Sequence, residues 1–117
     1  MGLFDKVKEK VGDLAVEFKA NVEEADKMDV YELCNAMKDM KMLDKKLPAY
    51  TSVLNHKCEQ LGDTALEELY KQVKKDTPFL KTHHAKAPIE TELVRRNMYV
   101  RHEDGTVNRN MLYRNRS

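Results

Sequence analysis

Apolar residues recur at intervals of three and four from the start of the chain. Leu3, Phe4, Val7, Val11, Leu14, Phe18 and Val22 fall on one stripe of an α-helix, with Lys6, Lys8, Glu9, Lys10, Asp13, Glu17 and Lys19 around most of the remaining circumference. The spacing predicts one long helix, interrupted only by Gly12, at a cost of about 1 kcal/mol relative to alanine. Asp29 followed by Glu32 makes a capping-box-like start for a second helix carrying Val30, Leu33, Met37 and Met40. After Leu43, Asp44 is placed to cap a third start, and Pro48 is tolerated near the beginning of a helix. The stripe Tyr50, Val53, Leu54, Cys58 and Leu61 then runs to Gly62, read as a C-terminal stop. Asp63 caps a fourth helix with Leu66, Leu69, Tyr70 and Val73 inward and Lys74 and Lys75 at its C-terminal end, closed by Thr77-Pro78.

From Phe79 to Pro88 the periodicity stops and the chain reads as a linker or strap, with a short helix resuming between Thr91 and Met98. Beyond it, Glu103-Asp104-Gly105 lies between two short runs, 98–102 and 106–113, and Asp-Gly in that setting is a hairpin signal. A two-stranded hairpin is marginal alone in water and needs a surface to lie on. The expected fold is therefore mainly α: a small antiparallel bundle of about four helices over 1–78, a strap over 79–94, and an extended C-terminal arm over 95–117 with the hairpin signal in it.

Charge changes this picture at the C-terminal end. Up to Val94 every basic residue is lysine, fifteen of them against eighteen acidic residues; from Arg95 onward there are six arginines against Glu103 and Asp104. Arginine offers a planar fork that pairs with carboxylate or phosphate and stacks on aromatic rings. The sequence thus marks Arg95, Arg96, Tyr99, Arg101, Arg109, Tyr113, Arg114 and Arg116 as partner-binding residues of a docking arm, on the expectation that loss of Arg95 and Arg96 weakens binding with little loss of helicity.

The chemistry-bearing residues point elsewhere less strongly. Met28, Met37, Met40, Met42, Cys34, His56 and Cys58 are soft-ligand types, but Met37 and Met40 lie on the apolar stripe and read as flexible core filling. His83 and His84 are adjacent, a poor geometry for sharing one metal on a helix, and a site with His56 or His102 added is the lesser reading because zinc takes three or four protein ligands; His56 and Cys58 are two apart on a helix, where side chains diverge. Cys34 and Cys58 have no CxxC spacing, and no Walker loop, GxGxxG, GxSxG or HExxH is present. The expectation is a protein that is not an enzyme and takes no cofactor and no metal.

No apolar run approaches the length of a bilayer span, and the first residues lack the apolar core of a secretory signal, so the expected location is cytoplasmic, or a virion if the protein is viral. Over Gly2 to Val7 the chain resembles the starts of some short membrane-active peptides. Asp5, Glu9, Asp13 and Glu17 interrupt the basic face such helices carry, and Lys6 stands where myristoylation calls for Ser or Thr, so packing on a core or partner is the reading over membrane contact. The functional expectation is a non-enzymatic structural or interaction protein, fastened by its arm to a copy of itself or to a larger assembly such as a virion or a multisubunit complex. Alternatives are a small phage-type inhibitor of a host protein and an accessory protein whose Arg/Tyr tail binds nucleic acid. The slightly acidic body does not extend a nucleic-acid footprint.

Overall fold

A computed structural model describes residues 3–77 and 82–113, with side chains described from residue 15 onward. Among the described residues the chain forms α1 (Leu3–Asp26), α2 (Val30–Lys38), α3 (Leu47–Gln60), α4 (Asp63–Asp76), α5 (Lys86–Arg95), β1 (Tyr99–Arg101) and β2 (Val107–Arg109). The fold is mainly α with a small antiparallel hairpin.

The capping signals largely act where the sequence puts them. Asp29 accepts a hydrogen bond from the Glu32 backbone N–H at 2.9 Å and opens α2. Asp44 accepts from the Lys46 N–H at 2.8 Å in the turn before α3, whose first turn holds Pro48. Gly62 departs from its expected role: with φ −67° it is extended rather than left-handed, and it is the N-cap of α4. Asp63 therefore becomes the first residue of α4 instead of its cap, which frees its carboxylate for a tertiary partner.

The largest difference is α5. It begins at Lys86, well before Thr91, and buries Pro88, Ile89, Glu92 and Leu93. Pro88 lies in the first turn, where its missing N–H costs no intrahelical bond, so a proline read as a boundary sits inside the helix. The residues of 79–94 thus include a core element: α5 packs against both α3 and α4, while α3 also receives α1 and α2. Ala85, Ile89 and Leu93 join Leu33, Met37, Tyr50, Leu54, Cys58, Leu66, Leu69 and Tyr70 in one buried cluster.

Among its described side chains, α1 is anchored near its C-terminal end. Ala25 is fully buried and Val22 half-buried against the core, whereas residues 15–20 are all exposed. The 24 residues span about 36 Å at helical rise, in a molecule of 62 × 30 × 24 Å.

Candidate docking surface

The arm begins where α5 ends. Arg96 closes the helix, and Asn97 takes φ 63°, the left-handed conformation that asparagine tolerates better than most side chains. The Asn97 N–H donates to the Val94 carbonyl at 3.0 Å and the Met98 N–H to the Leu93 carbonyl at 3.0 Å, which is the Schellman pattern. Its apolar pair is Leu93 with Met98, both buried. The reversal sends the chain back across the body and sets the Arg96 side chain between three helices.

There the Arg96 guanidinium meets Asp63 at 3.0 Å and Glu92 at 3.2 Å, and donates to the backbone carbonyls of Cys58 at 2.9 Å and Glu59 at 3.2 Å. Those carbonyls belong to the last turn of α3, where the Cys58 carbonyl also accepts from the Leu61 N–H at 3.2 Å and the negative end of the helix dipole favours a cation. Asp63 opens α4, where a carboxylate is favoured by the opposite end of the dipole. One planar fork thus ties the end of α3, the start of α4 and the last turn of α5. Arg95 also holds Glu92, through Nη2 to Oε2 at 2.7 Å, and these hydrogen bonds outweigh burial to keep the Glu92 carboxyl below its ordinary pKa.

The hairpin pairs Tyr99 with Arg109, Val100 with Asn108 and Arg101 with Val107. Alternation puts Tyr99 against the body, where its ring meets that of Tyr70 edge-on with centroids 5.2 Å apart. The Tyr99 hydroxyl donates to Glu67 at 3.1 Å, and burial with the nearby Glu67 charge pushes its pKa up to about 12. Arg109 reaches the same carboxylate at 3.4 Å. The Tyr113 hydroxyl donates to Asp63. A hollow of about 420 Å³ remains between Asp63, Arg96, Asn97 and Tyr113, its two charged groups already paired with each other.

Of the eight arm residues marked by the sequence, Arg96 and Tyr99 are thus turned into the body. Arg95, Arg109 and Tyr113 each bind a body carboxylate while keeping part of their surface open. Arg101 is exposed and forms no ion pair among the described residues; Arg114 and Arg116 lie outside them. Sequence reasoning missed the acceptors. Asp63, Glu67 and Glu92 are 7%, 7% and 4% exposed, so these three acids are buried counter-ions. The available signal was position: Asp63 and Glu67 continue the inward face of α4 with Tyr70, and Glu92 abuts Leu93.

What the arm leaves to solvent is an apolar tip. Asn110 is fixed by its N–H to the Met98 carbonyl and its side-chain amide to the Asn97 carbonyl, both at 2.8 Å. Its own side-chain oxygen accepts from the Leu112 N–H at 3.1 Å, and the Tyr113 N–H returns to the Asn110 carbonyl at 3.1 Å. This turn holds Met111 and Leu112 at 87% and 91% exposure, with Val100 exposed on the hairpin's outer face.

Among the described residues no three or more His, Cys, Asp and Glu side chains are gathered to hold a metal ion, and no helix is long and apolar enough to cross a membrane. No protein-family model, curated protein sequence or solved structure matches the chain.

Proposed function

We propose that this protein is a non-enzymatic interaction module that docks to a protein partner through the outer side of its C-terminal arm. The Met111-Leu112 turn carries the reading. Four hydrogen bonds hold it in one conformation while it displays two large apolar side chains to water. A pre-formed apolar projection loses little conformational freedom on entering a pocket, which favours its use as an anchor. Arg101 and the open part of Arg109 supply a basic rim, which suits an apolar pocket edged by carboxylates.

The nucleic-acid reading is weaker because Arg95, Arg96 and Arg109 are already neutralised by Glu92, Asp63 and Glu67. A phosphate would have to compete with these carboxylates for each fork.

The test is a photo-cross-linking amino acid at position 112 in the cells that produce the protein. A discrete protein adduct that survives nuclease and disappears with Met111→Asp supports the reading. A nuclease-sensitive adduct, or none, overturns it.

A further inference from the structure

We infer that the arm takes up its partner as a third strand: an extended segment of that protein adds antiparallel along the outer edge of β2, with an acidic residue opposite Arg109 and an apolar one opposite Val107. The inference rests on the docking role of the arm and names what the partner presents to it.

The register decides which backbone groups are available. The His102 N–H donates to the Thr106 carbonyl and the Asn110 N–H to the Met98 carbonyl, both at 2.8 Å, so the ladder runs one residue past the strands at either end. Opposed residues in an antiparallel ladder alternate between hydrogen-bonded and non-hydrogen-bonded pairs. Met98 with Asn110, Val100 with Asn108 and His102 with Thr106 are the bonded pairs; Tyr99 with Arg109 and Arg101 with Val107 are not. The N–H and C=O groups of Val107 and Arg109 therefore point away from β1, and no described residue bonds any of the four. α5 packs on β1, whereas the sheet has no strand beyond β2. Exposed edges are commonly blunted by Pro, Lys or a bulge. β2 carries no Pro or Lys, its register is unbroken, and its one charge, Arg109, turns inward to Glu67. Such an edge is a template for strand addition.

The side chains define what fits there. Val107 packs half-buried on the body, Arg109 lies on the same face, and Asn108 is exposed on the other. A strand running antiparallel to β2 sets one residue opposite Arg109 and, two positions later, another opposite Val107. Arg109 is 48% exposed and reaches Glu67 at 3.4 Å, and a guanidinium has five N–H donors, so it can hold a second carboxylate. Exposed Arg101, across from Val107, adds to the attraction for an acidic segment and repels a basic one. The start of the added strand lies towards Met111 and Leu112, which follow β2 directly, so the strand and the pocket for that apolar turn form one continuous site on the partner.

Val107→Pro tests this, because it removes an outward N–H and leaves every ladder bond of the hairpin in place. The variant should keep the helicity and thermal transition of the wild type and lose the protein adduct formed from position 112. Val107→Thr, which retains the N–H, should keep it. An adduct that persists in folded Val107→Pro overturns strand addition and leaves the docking reading standing. No adduct from the wild type overturns the docking reading and this inference with it. A second measurement does not depend on the variant folding: nitrogen-15-labelled wild type is titrated with the synthetic peptide Leu-Thr-Glu-Thr-Val-Thr and with its Glu-to-Lys analogue. The Glu peptide should shift the Val107 and Arg109 amide signals and slow their exchange with solvent, and the Lys analogue should bind about tenfold more weakly. Unchanged signals at these two amides up to about 5 mM peptide, or equal binding of both peptides, would overturn the proposal.

Discussion

Arg96 and Asp63, 33 positions apart, meet at 3.0 Å with side chains only 12% and 10% exposed. Removing one partner of a buried pair leaves an uncompensated charge, and here it also takes one donor from each of two α3 carbonyls. Arg96→Ala should therefore destabilise the fold by about 3 kcal/mol. Its neighbour Arg95 is 63% exposed, and Arg96 remains to hold Glu92, so Arg95→Ala should cost about 1 kcal/mol or less. Urea unfolding of the two variants checks the contrast; equal losses would show that Arg96 is not the tie between the helices.

A chain ending at Val94 loses Arg96, the Schellman turn, buried Met98 and Tyr99, and the cover over Glu67. Each large core side chain is worth about 2–5 kcal/mol, so the combined loss is comparable to the whole stability of a domain this size. The truncated protein should show no cooperative thermal transition by circular dichroism. A sharp transition near that of the full chain would mean the arm is an accessory to the fold rather than part of it.

His83 is 3% exposed, and its Nδ1 accepts the Ala85 N–H at 3.2 Å, which fits the neutral ring. Burial lowers its pKa below the ordinary 6.5, helped by Lys38 and His84 and opposed by Asp76 and Asp39. The unfolded chain therefore binds this proton more readily. The contribution to stability is complete above pH 6.5 and is lost as pH falls through the lowered folded value. Urea unfolding at about pH 7.5 and about pH 5.5 should show the wild type weakening with acid, and His83→Asn should weaken less over that interval.

Cys34 and Cys58 are buried, and desolvation pushes both thiols up to about 12. At pH 8 only about one molecule in ten thousand would carry either thiolate. An aromatic disulfide reagent should modify the native protein slowly and the urea-unfolded chain quickly. Fast modification of the folded protein at either position would contradict the packing between α2 and α3.

The sequence by itself determined the helices whose signals are local. The stripe of α1, the Asp29 cap of α2, and the inward faces of α3 and α4 are legible because a helix repeats every 3.6 residues and its caps lie within one turn. The Asp-Gly hairpin was legible for the same reason, since a tight turn and its flanks are neighbours in the chain. α5 was obscured because Pro88 is a boundary in most contexts and a first-turn residue in this one, and only its neighbours α3 and α4 decide between them. The roles of the arginines could not be read at all. Arg95 and Arg96 are adjacent and chemically identical, yet one faces water and the other is enclosed by residues 33 and 38 positions away. Whether a charge is a surface feature or a tie within the fold depends on which distant carboxylates and helix ends surround it, and only the tertiary structure brought Asp63, Glu67 and Glu92 to the arm.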